Sequence, residues 1–293
     1  TSTFTEDFTA TAAIIAAGTL DQRVNLTGAT TDITLTGTQS VTLPNQLVVG
    51  GNLSVASAGP ITQTSIAGTS PGIQVAGNAA FQITSGNRSI TLPSAGNKVT
   101  GTVDFTQNGG TISSINWTNA ASTAQTPSFG LLANLTSLTL NHSNSNINIG
   151  ATTVAGPITL SAFGDITQSA AITSTSGTSA FTVTGNSKIL LDNTSNNFNN
   201  IQLNSLQSTQ THTIVDANGI GVATSNIGRA GLNLTAVLGG ITQAGGLVQL
   251  PSSGPLTLTT SAASSSVNLS NTGNFFGGTV TIAGVPTTVS LRD

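Results

Sequence analysis

The tripeptide Ile-Thr-Gln occurs three times, and it marks an internal repeat that constrains the fold more than any other feature of the sequence. In each copy a Gly stands two residues ahead of the Ile, at Gly59, Gly164 and Gly239. Three further alternating runs follow each copy in the same order, and the length differences fall in turns rich in Gly, Asn and Ser. The modules start near residues 59, 164 and 239, and an extra stretch, 110–156, precedes the second. The repeat residues are Ile61, Thr62, Gln63, Ile166, Thr167, Gln168, Ile241, Thr242 and Gln243.

The runs alternate strictly between apolar and polar residues. Leu138-Thr139-Leu140 and Leu256-Thr257-Leu258-Thr259 are typical, and this period of two indicates half-buried strands. No single short strand carries enough apolar surface for a core of its own, whereas stacked coils share one continuous core. We therefore predict an all-β chain whose residues 21–293 form one elongated parallel β-helix, with about a dozen coils at roughly 20–25 residues each.

The alternative fold is a string of antiparallel β-sandwiches. Such domains usually carry a buried Trp between the sheets and a Tyr at a corner. This chain has one Trp, no Tyr and no clear linker, which favours the β-helix.

The N-terminal segment, residues 1–20, breaks the repeat. We expect it to cap the β-helix or to be an exchanged strand that pairs with another copy. The chain has no Met, and its first residues lack the basic region of a signal peptide. This predicts a processed product or a piece of something longer.

The composition excludes several classes of protein. Only 5% of the residues are charged, with Lys+Arg 6 and Asp+Glu 9, so the chain lacks the basic surface that a nucleic-acid partner requires. It has no Cys for disulfides, and no apolar run approaches the ~20 residues of a membrane span.

No pattern of catalytic or metal-binding residues stands out, so we predict that the chain is not an enzyme and has no cofactor, catalytic residue or metal site. The acids are scattered apart from Glu6-Asp7, and most lie beside turns. His142 and His212 form no metal-binding pattern, and we expect them to be solvated turn residues. A carbohydrate-active enzyme is a distant alternative, because coils can bring distant carboxylates together.

Three aromatic residues are candidates for an interface. Trp117 lies in the inserted stretch, where it either stacks on a sugar or a partner or fills the core of a wider coil. Phe275 and Phe276 are adjacent, so in a strand they point to opposite faces, and one ring is then free to engage a neighbour.

The modules resemble a known family. Residues 164–169, 181–184 and 189–198, and again 239–244 and 271–278, are similar to the repeats of large filamentous-haemagglutinin-like proteins of Gram-negative bacteria. The similarity covers most of residues 20–293 and implies a right-handed parallel β-helix in a secreted or cell-surface exoprotein, often an adhesin. We see no counterpart of that family's amino-terminal secretion domain, as expected for a repeat region.

These observations predict a non-catalytic, extracellular structural or adhesive β-solenoid that is a segment of a large surface protein. Its expected partners are other copies, neighbouring segments of the same long chain, or a glycan or protein on a host or cell surface. The alternative is a filament subunit that self-assembles end to end or by strand exchange, because uncapped β-helices expose unpaired strand edges.

Overall fold

The chain is an all-β parallel β-solenoid of about 11 turns. The computed structural model describes residues 13–21, 26–29, 32–64 and 72–293, and it describes side chains in the last two ranges. The strand pairings described below are all parallel, and none of the residues in these ranges is helical. The predicted fold class is thus confirmed over the antiparallel sandwiches.

The described strands fall into two compact units, residues 1–145 and 146–293. Most of the predicted N-terminal segment 1–20 lies outside the described residues, and its role as a cap or exchanged strand stays a prediction, as does the single uninterrupted β-helix over 21–293. The strands of the first unit are β1 (Ala13–Asp21), β2 (Leu26–Ala29), β3 (Ile33–Leu43), β4 (Gln46–Val49), β5 (Leu53–Ser57), β6 (Ile61–Gln63), β7 (Gly72–Val75), β8 (Ala79–Ile83), β9 (Gly86–Leu92), β10 (Lys98–Val99), β11 (Val103–Gln107), β12 (Gly110–Asn119) and β13 (Ser137–His142).

The first unit has three stacks of strands, one for each side of a coil. The first half of β3 continues through β5, β8 and β11. The second half of β3 continues through β6, β9, β12 and β13. The third stack contains β2, β4, β7 and β10. Each coil crosses the three stacks in turn.

The second unit is built in the same way. Its strands are β14 (Ile147–Ile149), β15 (Thr152–Val154), β16 (Ile158–Ala162), β17 (Ile166–Gln168), β18 (Ile172–Val183), β19 (Ile189–Leu191), β20 (Asn197–Asn204), β21 (His212–Asp216), β22 (Ile220–Val222), β23 (Ser225–Asn226), β24 (Leu232–Ala236), β25 (Ile241–Gln243), β26 (Leu247–Val248), β27 (Leu256–Thr260), β28 (Ser266–Leu269), β29 (Val280–Gly284) and β30 (Thr288–Leu291). One stack runs β14, β17, β19, β21, β24, β27, β29. Another continues from β20 through β22, β25 and β28 to β30.

The alternation read from the sequence sets which side chains enter the core. Leu35, Val55 and Phe81 are register partners on successive coils and are fully buried. The residues next to them in each strand point outward. Outward residues also pair between coils: in β3 and β6, Thr42 and Thr62 share a hydroxyl–hydroxyl hydrogen bond of 3.2 Å. Inward apolar columns and outward Thr or Asn rows therefore account for the composition.

Candidate functional site

The three Ile-Thr-Gln strands are β6, β17 and β25, and each ends at a corner between two sides of the solenoid. The Ile side chain enters the core in every copy, with Ile61, Ile166 and Ile241 all fully buried. The following Gln turns into the corner. There it meets an Asn supplied by the next coil, 34, 28 or 31 residues further along the chain.

In the first module Gln63 and Asn97 form a reciprocal amide pair. Gln63 Nε2 donates to Asn97 Oδ1 at 2.8 Å, and Asn97 Nδ2 donates to Gln63 Oε1 at 3.0 Å. Asn97 also accepts the backbone N–H of Ile73 at 2.8 Å and donates to the carbonyl of Leu92 at 3.0 Å. Gly72, next to Ile73, has a φ of +69°, and a Cβ there would lie 2.4 Å from the Asn97 backbone nitrogen, so only Gly fits this approach.

The second module repeats this geometry. Gln168 and Asn196 exchange hydrogen bonds of 2.8 and 2.9 Å, and Asn196 accepts the N–H of Ile172 at 2.9 Å. Asn196 Nδ2 also donates to Leu191 O at 3.2 Å and Val215 O at 3.1 Å. The arrangement is therefore a property of the repeat.

The third module has the same reciprocal pair, between Gln243 and Asn274. Asn274 accepts the N–H of Leu247 at 2.9 Å and donates to Leu269 O and Arg292 O, both at 3.0 Å. These bonds correspond one for one to those of Asn196.

Each cluster has a third member, one coil further on, whose side chain accepts backbone N–H groups. Asn119 Oδ1 accepts from Val99 and Ala121, both at 3.1 Å, and Asn119 Nδ2 donates to Val99 O at 3.1 Å. In the second module Asp216 accepts from Phe198 at 2.6 Å and from Asn218 at 2.7 Å.

In the third module Asp293 accepts from Phe276 at 2.7 Å. We call the sets Gln63/Asn97/Asn119, Gln168/Asn196/Asp216 and Gln243/Asn274/Asp293 the corner clusters.

The clusters of the second unit lie on different sides of the coil. Ile166–Gln168 stands in the stack that contains β14 and β19, whereas Ile241–Gln243 stands in the stack that contains β22 and β28. The sequence module is therefore not a whole number of coils, although the local geometry is the same. The clusters of this unit form no aligned row, so each one acts within its own corner.

Burial is the main electrostatic feature of the second cluster. Desolvation raises the pKa of the Asp216 carboxyl, and the hydrogen bonds from Phe198 and Asn218 oppose that shift only in part. The other clusters use a neutral amide or an exposed carboxylate at this place. The hydrogen bonds of each cluster join side chains to the backbone of neighbouring coils, so these groups hold adjacent coils in register.

The sequence carried a signal for the central Asn of each cluster that we did not read. Asn97, Asn196 and Asn274 each follow a buried Leu by five residues, and each donates to the carbonyl of that Leu. Because the chain contains many Asn residues, a Leu followed five residues later by Asn does not stand out by itself. These three pairs differ from others in that each follows an Ile-Thr-Gln copy.

Both histidines are buried, so the prediction that they are solvated turn residues was wrong. They occupy inward positions of β13 and β21, where alternation continues an apolar column. His212 Nδ1 accepts the N–H of Ile189 at 3.0 Å, and Nε2 lies 2.6 Å from Ser205 Oγ. Burial lowers the pKa of His212 to about 4.

His212 and Ser205 do not have the arrangement of a serine nucleophile activated by a histidine base. Because Nδ1 accepts a backbone hydrogen bond, the neutral ring carries its proton on Nε2 and donates it to Ser205. A serine nucleophile needs the reverse arrangement, with a ring nitrogen free to accept its proton. Ser205 is also fully buried, so no substrate reaches it.

The three aromatic interface candidates differ in exposure. Trp117 is fully buried and packs against Phe81 at a ring-centroid distance of 5.7 Å and Phe105 at 6.3 Å. The side chain therefore presents no surface for a sugar or a partner, in line with the core interpretation. Phe275 is exposed by 45% and Phe276 is half-buried, so Phe275 is available at the surface, and its role in an interface stays a prediction.

No group of three potential metal ligands occurs within the residues that the structure describes. The same residues include no helix that is long and apolar enough to cross a membrane.

Comparison with known proteins yields one family and no relatives. No curated protein and no solved structure matches the chain. A family model described as repeats of unknown function (DUF5649) matches residues 30–106, 135–204 and 209–283, more than half of the chain. Each matched segment contains one Ile-Thr-Gln strand, so the three modules recognised in the sequence are three copies of this repeat. The chain belongs to the DUF5649 family.

Proposed function

We propose that the chain is a non-catalytic structural or adhesive β-solenoid, a segment of a secreted or cell-surface protein. The observation that carries this proposal is that the polar groups best suited to chemistry are used to join coils. Asp32 accepts two hydrogen bonds from Asn52, and Asp165 accepts the N–H of Lys188. Asp216 and Asp293 hold corner clusters, and the His212 ring is saturated by hydrogen bonds.

The resemblance to filamentous-haemagglutinin-like repeats supports the extracellular location. Antibodies raised against the purified chain are expected to label intact cells of the producing organism. Labelling that requires permeabilised cells would contradict the location and leave the structural role to be judged separately.

A carbohydrate-active enzyme remains the distant alternative. Among the acidic residues whose side chains the structure describes, only Asp104 and Asp192 make no hydrogen bond to the described part of the chain. We expect incubation with polysaccharides to release no products. Product release that disappears in Asp104→Asn or Asp192→Asn would replace the structural proposal with an enzymatic one.

The second candidate function is an end-to-end filament subunit. Stacked parallel coils favour this function, because each coil offers its strand edges to the next. Within the described residues, β29 and β30 each pair with one neighbour. Val289 and Leu291 are exposed by 47% and 40%, whereas their register partners Val267 and Leu269 are buried. A further coil of the same long chain or a coil of another copy would cover these side chains.

Electron microscopy and analytical ultracentrifugation across a concentration series distinguish the two candidates. The filament function predicts ordered fibres that Leu291→Lys abolishes, while Ser290→Lys, an outward neighbour in the same strand, leaves them intact. Discrete particles of single-chain mass at every concentration would rule the filament out and leave the scaffold.

A further inference from the structure

A cleft of about 330 Å³ opens on the first unit beside the strand β11. One wall is formed by residues 104–107 of that strand. The other is formed by Ser128, Leu131 and Leu132, which belong to the connection between β12 and β13. One wall of the cleft therefore belongs to the first module, and the other belongs to the inserted stretch, 110–156.

The connection that forms the second wall is fixed in place. Phe129 is buried and stacks on Phe105 with ring centroids 6.2 Å apart, continuing the column that Phe81 and Phe105 begin. Gln107 then holds the next turn by two bonds to Ala133, one to its carbonyl at 3.0 Å and one from its N–H at 3.3 Å. A wall anchored at both points is preorganised for binding.

Two side chains of the cleft have no role in holding the coil together. The Asp104 carboxylate is exposed and makes no hydrogen bond or ion pair with the described residues. Leu131, on the opposite wall, is 95% exposed, so it contributes almost nothing to the core. The lining contains no cationic side chain, and the carboxylate thus lacks a counter-charge beside an exposed aliphatic group.

We propose that this cleft binds an organic cation with an aliphatic stem, the chemistry of a lysine side chain presented by a partner protein. The ammonium group pairs with Asp104 and with the hydroxyl of Ser128, and the methylene stem packs on Leu131. Long cationic side chains bury their stems in this way while the charged end stays near water. The cleft binds such a group whether or not the solenoid polymerises.

The test is a titration of the 293-residue chain with N-acetyl-lysine-N-methylamide, in which the backbone amide resonances are monitored by nuclear magnetic resonance. We expect shifts confined to residues 104–107 and 128–132. Asp104→Asn should reduce them at least fivefold, and Leu131→Ser should weaken them without moving them elsewhere. The norleucine analogue of the probe, which lacks the ammonium group, should give no comparable shift. Because surface charge pairs are screened, high salt should also weaken the effect.

Asp192→Asn is the matched control, because Asp192 is also an exposed, unbonded carboxylate but lies outside the cleft. Its titration should match that of the parent chain. The proposal would be overturned if the shifts persisted in Asp104→Asn, or if they became smaller by the same factor in Asp104→Asn and Asp192→Asn. Shifts of similar size with the norleucine probe would also overturn it. Resonances outside the cleft that are unchanged in each variant would show that the fold is intact.

Discussion

The first two corner clusters perform the same task with different chemistry. Asn119 closes the first with an amide that accepts two N–H groups and also donates to Val99 O. Asp216 closes the second with a carboxyl that accepts two N–H groups. Both residues are fully buried, so the difference between them is one of charge in a poorly solvated place.

This difference shows that the backbone, more than the side-chain charge, defines the repeat. Each cluster satisfies the same N–H and carbonyl groups, which would otherwise lie unpaired at a buried corner. In the second module, burial of the Asp216 carboxyl raises its pKa. The first module has the neutral amide of Asn119 at this place. Trp117 is the only Trp, and it lies in the first unit, so its fluorescence reports that unit, while far-UV circular dichroism reports both.

The largest expected effect comes from removing the central amide of either cluster. Asn97→Ala and Asn196→Ala each leave buried N–H and carbonyl groups without partners, and we expect a loss of about 4 kcal/mol of unfolding free energy. Urea denaturation recorded by Trp117 fluorescence for Asn97→Ala, and by circular dichroism for Asn196→Ala, should show these losses. The exposed Asn199, which donates to Gly177 O, is the control, and Asn199→Ala should cost less than about 1 kcal/mol. Equal losses at all three sites would contradict a special role for the clusters.

The second prediction concerns pH and the second unit. The pKa of His212 falls from 6.5 to about 4 on folding, so the unfolded chain binds the extra proton between these values. Stability is therefore complete above pH 6.5 and declines as the pH falls towards 4, by up to about 3 kcal/mol. His212→Gln should remove this dependence in denaturation curves recorded by circular dichroism. A variant with the same pH profile as the parent would disprove the assignment.

Exchanging the closing residues of the two clusters tests the comparison directly. Asn119→Asp places a carboxylate against Val99 O, and we expect it to cost about 2 kcal/mol at pH 7. We expect the amide of Asp216→Asn to accept both N–H groups on Oδ1, as Asn119 does. The variant should then gain about 1 kcal/mol at pH 7, because the raised pKa means that ionised Asp216 opposes folding as the pH rises through its folded-state value. This slope is opposite to that of His212, so it is best measured in the His212→Gln background. A loss of stability at pH 7 in Asp216→Asn would contradict the account.

The smallest effect is expected on the outer surface of the same motif. Thr62 shares one part-buried hydroxyl bond with Thr42, whereas its neighbour Gln63 holds the first cluster. Thr62→Ala should cost about 0.5 kcal/mol, and Gln63→Ala several times more, in the Trp117 transition. Equal costs would mean that the corner is no more important than the outer Thr row.

Alternation was enough to predict the strands, the stacking of coils and the inward Ile of each repeat. It left Trp117 open between an interface and the core, and the structure buries it two residues after the buried Ile115. The hydrogen-bonding roles of the corner-cluster residues were not predicted, because burial of a polar side chain depends on partners from other coils. Asn97 meets Gln63 across 34 residues, a distance that no local pattern reveals.

The histidines show why local polarity misled the sequence argument. His212, Ile214 and Asp216 alternate along one strand and are all fully buried. When only composition is considered, polar residues such as His212 and Asp216 suggest a solvated turn, although both occupy inward positions of a strand. The partners that make their burial tolerable, Ser205 and the N–H groups of Ile189, Phe198 and Asn218, lie in other strands and turns.

Hydrogen exchange at the backbone amides of Ile73, Ile172 and Leu247 tests the central claim most directly. Each donates to the Oδ1 of a central Asn. We predict that all three exchange as slowly as the amides inside the parallel strands. Replacing the Asn of one module with Ala should then accelerate the amide of that module alone. Fast exchange of these three amides in the parent chain would contradict the corner clusters.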